Sequence, residues 1–344
     1  MMKKRPTITD VARHAGVSKA SVSYVLNDVK KVSQSTKERV LMSIEELGYE
    51  PDFTAVSLTR QRSQLIGIIL PLVNQSIAHV MRENTYYNEM ISAVEQRARE
   101  SGFDVLLTGL SRPEHYRTWV HKRKLDGLLF FGLFPKEIYD EMRSIDVPAV
   151  LIDTYEEHTD RYPSVNIEDE KGAYLATCHL AELGHSRILF TGTNLHNPVE
   201  HYRYTGYERA CKEAGIQPMN PVETPHSHSF LSGYEAAERV SATDATAVFC
   251  TSDIIAQGLI RALYERGIRV PDDLSVAGFD DIHSSRYSIP SLTTIRQQIQ
   301  LKGDAAAGKL LEAMKGGSPE PEVLDVSLII RESTAPPDIG SASQ

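Results

Sequence analysis

Short apolar runs alternate with amphipathic helical patterns from Leu65 almost to the end of the chain. Seven of these runs are LIGIIL (65–70), FDVLLTG (103–109), GLLFFG (127–132), VPAVLID (147–153), RILFTG (187–192), TAVFCTS (246–252) and LSVAGFDD (274–281). Helical patterns lie between them, for example over 88–102, 170–184 and 253–267. This alternation predicts an α/β fold with parallel sheets and helices on both faces. The stretch is too long for one sheet of ordinary size, so we expect two lobes.

The chain begins differently, with two short helical patterns around a tight turn. Thr7 is placed to cap the first helix, TITDVARHA, and Asp10 puts a carboxylate in its first turn. Gly16 ends that helix, and Ser18 is placed to cap a second one, KASVSYVLN. Two short helices flanking an Ala-Gly-Val turn are typical of a helix-turn-helix.

A third helix completes a small domain at the start of the chain. Ser35 and Glu38 have the spacing of a capping box, and Gly48 ends the helix. The three helices can bury only a thin core, which we expect to contain Val11, Ala15, Val22, Leu26, Val40, Ile44 and Leu47. The outward face of the second helix carries small or polar side chains that suit base edges in a major groove. They are Lys19, Ala20, Ser21, Ser23, Tyr24 and Asn27.

The charge of the chain is unevenly distributed. Residues 1–62 carry 11 Lys and Arg against 7 Asp and Glu, whereas the remainder carries 26 against 39. Only the surface that faces the phosphates must be positive for a protein to bind nucleic acid. The sequence therefore predicts a DNA-binding head on an acidic body.

Several motifs together resemble the lactose-repressor/galactose-repressor (LacI/GalR) family. They are TITDVARHAGVSKASVSYVLN and VSQSTKERVL in the head, and AELGH, SDIIAQGLIRAL, DLSVAGFDD and SLTTIRQ in the body. The resemblance covers about residues 5–333. It implies a helix-turn-helix DNA-binding domain (1–50), a hinge helix or linker (51–63), a two-lobed periplasmic-binding-protein-like core for effector binding and dimerisation (64–333) and a disordered tail (334–344).

The resemblance also implies which residues contact DNA. In the family the second helix reads the major groove, and a hinge leucine wedges between base steps in the minor groove, where Leu58 matches it. The residues assigned to DNA contact are Thr7, Ser18, Lys19, Ala20, Ser21, Tyr24, Asn27, Thr36, Ala55 and Leu58. Tyr24 stands where the family often has Arg, so guanidinium readout of guanine is lost there. The alternative for 51–63 is a plain linker.

Polar residues at the ends of the apolar runs predict a ligand site, because ligands of open α/β sheets bind beyond the carboxyl ends of strands. These are Asn74, Asp153, Ser252, Asp253, Asp280 and Asp281. Carboxylates accept hydroxyl hydrogens strongly and suit a polyol, although an Asp after a strand is also a common helix cap. The effector contacts that we assign from strand ends and resemblance together are Asn74, Tyr86, Tyr87, Asp153, Arg203, His228, Ser252, Asp280 and Gln297.

The expected function is repression of carbohydrate-utilisation genes by a homodimer on a pseudo-palindromic operator, with release by a small sugar. The alternative is a co-repressor system that responds to a purine or another metabolite. A sugar-binding transport protein is a rival, but the basic start has no apolar signal region, which favours a cytoplasmic protein. No apolar run is long enough to span a membrane.

Enzymatic motifs are missing from the sequence. No G-x-G-x-x-G follows a strand pattern, and neither H-E-x-x-H nor G-x-S-x-G occurs. The three cysteines, Cys178, Cys211 and Cys250, are far apart in the sequence, which predicts buried thiols rather than metal ligands. We expect no catalytic activity, no metal and no cofactor.

Leu58 gives a direct test of the hinge assignment. Leu58→Ala should lower operator affinity roughly 10-fold or more, because the duplex is no longer wedged open at the minor groove. A gel-shift titration measures the effect, with circular dichroism to confirm an unchanged helix content. Equal binding by the variant and the wild type would remove Leu58 from the DNA interface.

Overall fold

The structure is a computed structural model that describes residues 6–26, 29, 31–49, 63–72, 77, 81–82, 84–110, 113–155, 161–224 and 228–338. The chain divides into two compact units, and the main boundary lies between Gln64 and Leu65. The predicted hinge residues Ala55 and Leu58 lie outside the described residues, as do Asn27 and Asn74.

The smaller unit is the predicted three-helix domain, with α1 Ile8–Ala15, α2 Lys19–Leu26 and α3 Gln34–Leu47. Its core is as thin as the sequence indicates, since only Val11, Val22 and Val40 are completely buried among its described residues. Leu26, Ile44 and Leu47 pack at its edge and are partly buried.

Local signals set the ends of these helices. Thr7 and Asp10 form the capping box of α1, and Gly16 ends it in the left-handed conformation at φ 65°. Ser18 Oγ accepts the backbone N–H of Ser21 at 3.1 Å and caps α2. The prediction for α3 was wrong by two residues. Ser33, rather than Ser35, is its N-cap and accepts from the backbone N–H of Thr36.

The larger unit contains two parallel sheets, as the alternation predicts. The first lobe has the strand order β11-β5-β4-β3-β1-β2, and all its pairings are parallel. Its strands are β1 Leu65–Pro71, β2 Asp104–Leu110, β3 Gly127–Phe131, β4 Ala149–Ile152, β5 Ser164–Ile167 and β11 Glu322–Leu324. Its helices are α4 Thr85–Glu100, α5 Pro113–Arg123, α6 Lys136–Met142 and α11 Ile299–Ala313.

The second lobe has the order β12-β10-β9-β8-β6-β7, with β12 alone antiparallel among the described strands. Its strands are β6 Ile188–Gly192, β7 Val222–Glu223, β8 Ala247–Cys250, β9 Ser275–Asp280, β10 Thr293–Arg296 and β12 Ser327–Ile329. Its helices are α7 Asp169–Glu182, α8 Pro198–Glu213, α9 Phe230–Ser241 and α10 Asp253–Glu265, with a 3-10 helix at His283–Arg286.

The chain passes between the lobes three times: after β5, after β10, and between β11 and β12. Central strands such as β3, β4 and β8 are buried along their whole length, because helices cover both faces of each sheet. This explains why those strands read as continuous apolar runs.

The segment predicted as a disordered tail begins inside the folded core. Thr334 Oγ1 lies 3.0 Å from His179 Nε2, and the carbonyl oxygen of Ala335 lies 2.9 Å from His185 Nε2. The backbone N–H of Ala335 also donates to Ser275 Oγ at 3.0 Å. The second lobe therefore extends at least to Ala335, and residues 339–344 lie outside the described part of the chain.

Two further sequence expectations can be compared with the described residues. None of the described helices has the length and apolarity needed to cross a bilayer. Cys211 and Cys250 are buried thiols, as predicted, whereas Cys178 is only half-buried.

Glycines let α9 and α10 approach each other closely. A Cβ at Gly258 would lie 2.0 Å from the carbonyl oxygen of Phe230, and one at Gly233 would lie 1.9 Å from that of Ile255. Because both obstacles are backbone atoms, a larger residue can be accommodated only if the helices separate.

Gly258→Ala should therefore destabilise the core by roughly 1–3 kcal/mol, because the two helices must move apart. Chemical unfolding of the whole chain measures the change in unfolding free energy. Gly308→Ala in α11 is the matched control, since its Cβ would meet open space and helix propensity alone should stabilise by about 0.5–1 kcal/mol. Equal effects of the two substitutions would show that the helices do not need this close approach.

Candidate functional site

The outward face of α2 is available for recognition. Val22 and Val25 point into the core of the head, which leaves Lys19 and Ala20 exposed on the other side. Tyr24 is half-buried, and the Lys31 ammonium lies 5.6 Å from the centre of its ring. This face offers small and polar groups with a positive charge beside them, which suits contact with base edges and phosphates.

The remaining described residues assigned to DNA contact lie at helix ends. Thr7 and Ser18 are exposed, while Ser21 and Thr36 are half-buried. Backbone N–H groups at helix N-termini are favourable partners for phosphate. Their DNA contacts remain predictions.

A second group of polar residues, most of them buried, lies at the cleft where strand ends of the two lobes meet. Asp153 follows β4 of the first lobe, and Asp280 ends β9 of the second. Gln297 follows β10 on a crossover, and Arg203 reaches the same region from α8. These four are among the residues that the sequence assigns to the effector, and contacts within the larger unit link them into one network.

The first-lobe half of this cleft is built around Asp153. Lys302 Nζ lies 2.6 Å from one carboxylate oxygen of Asp153, and the Tyr86 hydroxyl donates to the other. Burial, followed by the charge of Asp153, raises the pKa of Tyr86 well above its ordinary value. Tyr86 therefore stays protonated and acts as a hydrogen-bond donor.

The second-lobe half is built around Arg203. Its Nε donates to Asp169 Oδ1 at 2.7 Å, and its Nη1 donates to the carbonyl oxygen of Thr251. The guanidinium lies 3.7 Å from the centre of the Phe279 ring, and its Nη1 is 4.0 Å from Asp280. Burial opposes the charge, but Asp169 and Asp280 more than compensate and raise the pKa of Arg203. The arginine is thus held rigidly as a cation in the cleft.

Asp280 connects the two halves. Gln297 Nε2 donates to Asp280 Oδ1, and Gln297 Oε1 accepts from Lys302 Nζ at 2.5 Å. Burial raises the pKa of Asp280 to about 6, although Arg203 acts in the opposite direction. The backbone at Asp280 has φ 123°, a conformation that side-chain-bearing residues rarely adopt. Strain and a perturbed carboxyl at one residue are typical of a functional site.

His228 lies against a buried carboxylate. Its Nε2 is 2.7 Å from Glu200 Oε1, which also accepts from Thr193 at 3.0 Å and from Thr251 at 3.1 Å. Burial tends to raise the pKa of Glu200, but His228, Arg203 and the hydrogen bonds outweigh it and leave the pKa lowered. Glu200 is therefore ionised, and His228 contacts this carboxylate from a position that the sequence assigns to the effector.

Other residues chosen from strand ends have structural partners. Ser252 is buried and caps α10 through the backbone N–H of Ile255. Asp253 accepts from Ser285 Oγ at 2.6 Å and from the backbone N–H of Ile282 at 3.0 Å. Asp281 pairs with Arg296 at 2.7 Å and with Arg331 at 2.5 Å. The helix-cap alternative for an Asp after a strand does not hold for Asp253, because Ser252 is the cap. Asp253 and Asp281 instead anchor the loops after β9.

Tyr87 adjoins the network without a described bond to it. It is half-buried, and its ring packs edge-on against that of Tyr86 at 5.4 Å between centroids. Its role as an effector contact stays a prediction.

Sequence reasoning missed four members of the network: Asp169, Glu200, Lys302 and Tyr155, whose hydroxyl donates to Asp169 Oδ2. Asp169 follows β5, so the rule that selected Asp153 could have selected it too. Lys302 occupies the buried face of α11 beside Ile299 and Ala306, and a lysine on an apolar stripe is a visible signal. Glu200 and Tyr155 carry no such signal, because their contacts depend on how distant elements pack.

A helix-turn-helix head joined to a two-lobed core with a polar cleft defines a DNA-binding transcriptional regulator with a ligand-binding body. Residues 7–52 match the lacI family of bacterial regulatory proteins, and residues 177–334 match a periplasmic binding protein-like domain. The chain belongs to the lacI family.

Relatives support this assignment along almost the whole chain. The transcriptional regulator RegA of Clostridium saccharobutylicum is 35% identical over 95% of this chain and 99% of its own. The transcriptional repressor PurR of Haemophilus influenzae is 35% identical over 95% of this chain and 98% of its own. The Lac repressor dimer bound to operator and the anti-inducer ONPF superposes with a TM-score of 0.82 at 30% identity, over 96% of this chain and 100% of that one.

Asp280 predicts a specific pH dependence of stability. Its pKa is raised from 3.8 to about 6 in the folded chain, so the fold favours the protonated carboxyl. The contribution of the protonated Asp280 carboxyl to the free energy of unfolding is fully present below about pH 4 and is lost as the pH rises through 6. Asp280→Asn should therefore become more stable than wild type as the pH rises from 4 through 6, and the difference should reach roughly 1–3 kcal/mol at neutral pH.

Urea unfolding of both proteins from pH 4 to pH 7 tests this difference. Asp273→Asn is the control, because Arg269 lowers the pKa of that exposed carboxyl to about 2. A wild-type and Asp280→Asn pair with parallel stability profiles would contradict the assignment.

Proposed function

We propose that this regulator is a homodimeric repressor of carbohydrate-utilisation genes and that a small sugar bound in the cleft releases it from its operator. The observation that carries the sugar assignment is the Asp153–Lys302–Gln297–Asp280 network with Arg203 beside it. Fixed carboxylates and a fixed guanidinium match the paired donors and acceptors of vicinal hydroxyls.

The head supports the DNA half of the proposal. Two copies of α2 on a dimer can enter successive major grooves, so the operator should be pseudo-palindromic. The Lac repressor neighbour is itself a dimer bound to operator. We infer the same arrangement for this chain from the family and from the exposed face that carries Lys19 and Ala20.

The sugar acts through a difference in affinity between two arrangements of the lobes. A ligand that bound both arrangements equally could not shift their populations. By reciprocity, operator DNA must weaken sugar binding by the factor by which sugar weakens operator binding.

A purine co-repressor is the second candidate, because several relatives are repressors named PurR. The cleft gives it less support. An exposed aromatic face would favour stacking of a purine, whereas here the guanidinium of Arg203 covers the Phe279 ring and His228 contacts Glu200.

Selection of binding sites from random DNA tests the proposed function. The full chain should enrich a pseudo-palindromic site, and Lys19→Ala should weaken binding to it by about 1–3 kcal/mol. Lys315→Ala is the control, because that exposed lysine lies in the larger unit after α11.

Monosaccharides and purine bases are then titrated against the enriched site. Release by a sugar supports the proposal, and tighter binding with a purine supports the alternative. A folded dimer with no preference for any site over bulk DNA at modest salt would refute both.

A further inference from the structure

Lys302 is a fully buried lysine on the apolar face of a helix. Ile299, Gly303, Ala306 and Leu310 of α11 are buried on the same face, and Lys302 has no exposed surface. Burying an ammonium is costly unless charged and hydrogen-bonded partners compensate. Whether Lys302 can be buried here as a cation therefore depends on the groups that its ammonium contacts.

Those partners are two of the residues that the sequence assigns to the effector. Lys302 Nζ lies 2.6 Å from Asp153 Oδ1 and 2.5 Å from Gln297 Oε1. The Tyr86 ring centre is 5.2 Å away, which is within range for a cation–π contact. The ammonium thus uses acceptors that a sugar hydroxyl would otherwise reach.

The same contacts connect the lobes. Asp153 belongs to the first lobe and Gln297 lies on the crossover that leaves β10 of the second. Gln297 in turn donates to Asp280 at the end of β9. Lys302 is therefore the cation that joins the first-lobe carboxylate to the second-lobe carboxylate through one glutamine.

No other basic side chain described in the cleft holds Asp153 in this way. Arg203 donates to Asp169 and Thr251, and His228 pairs with Glu200. Removal of the lysine side chain would leave the Asp153 carboxylate without its described counter-ion and would free one acceptor of Gln297.

We propose that Lys302 is a positioning residue and a built-in occupant of the effector cleft, whose ammonium braces Asp153 against Gln297 and Asp280 and so holds the lobes in the operator-binding arrangement. A sugar that reaches Asp153 and Gln297 must compete with this ammonium, and that competition is how occupancy loosens the brace. The inference rests on the proposed function, because it assumes that the cleft controls DNA binding.

Chemical rescue of Lys302→Ala tests the brace without knowledge of the natural effector. n-Propylammonium replaces the missing three methylenes and the ammonium. The variant should bind the operator selected by the wild type roughly 10-fold more weakly. Added n-propylammonium should restore the affinity to within about threefold, and uncharged 1-propanol should not.

The decisive readout is coupling, which a purely structural lysine would not produce. Operator DNA should tighten n-propylammonium binding to Lys302→Ala by the factor by which the amine tightens operator binding. Rescue of the melting temperature without any change in operator affinity would overturn the proposal. Unchanged operator affinity in Lys302→Ala would overturn it as well.

Two variants keep the outcome interpretable. Lys309→Ala removes a lysine from the same helix, where it pairs with Glu322 at 2.9 Å away from the network, and should show neither loss nor rescue. The Asp153→Asn, Lys302→Met double variant removes both charges without leaving one unpaired, so it should fold. It should bind operator more weakly than the wild type, and n-propylammonium should not change its operator affinity.

If Lys302→Ala does not fold, the double variant carries the test, and wild-type operator affinity in it would refute the brace. A wild-type chain that selects no DNA site would instead refute the proposed function, which distinguishes the two failures.

Discussion

Parallel strand pairing is the constraint on which the site depends. Every pairing in the two sheets of the described core is parallel except that of β12 with β10, so the carboxyl ends of neighbouring strands meet at one edge of each sheet. Side chains that follow β4 and end β9 are thereby brought to the same cleft although they are far apart in sequence. Three crossovers tie the two edges together, so a ligand bound at this place would contact residues of both lobes.

Folding of the cleft has a high desolvation cost, because its charged groups are taken out of water. Asp280 shows the cost directly, because burial raises its pKa to about 6 despite Arg203 nearby. Asp169 shows the same tendency, with burial raising its pKa against the opposing effects of Arg203 and Tyr155. Removing the Asp153 carboxylate would leave the buried Lys302 ammonium without its counter-ion, which destabilises more than the original pair stabilised. The network therefore ties the stability of the core to the geometry of the lobes.

The sequence predicted the fold class and the helix-turn-helix, because both depend on local signals. Periodicity marked the strands, and Thr7, Gly16 and Gly48 marked helix ends that the structure confirms. The prediction of Ser35 as the N-cap of α3 was wrong because Ser33 and Ser35 can both cap a helix, and local sequence does not decide between them. The prediction of a disordered tail from residue 334 was wrong because a polar, proline-containing segment can still be held by side chains such as His179 and His185.

The candidate site was only partly predictable. Strand-end residues such as Asp153 and Asp280 follow from topology, and the structure brings them into one network. Their counter-ions do not follow from it, because Lys302 and Arg203 reach the cleft from helices whose packing is set by the whole core. Strand-end position also fails to separate Asp280 from Asp281, which are adjacent but have different partners. Only the side-chain contacts distinguish a residue of the cleft from one that anchors a loop.

Under the proposed function, the side chain at position 228 bears on what the cleft would recognise. An aromatic ring offers a face on which any flat apolar ligand can stack, so it discriminates weakly among such ligands. His228 with Glu200 instead offers a charged, hydrogen-bonded edge, and a ligand that cannot pair with it would leave buried polar groups unsatisfied. Discrimination by unsatisfied polar groups is much steeper than discrimination by apolar contact. Under the proposed function, an effector that contacts this edge would therefore be separated from its apolar relatives more sharply than by size alone.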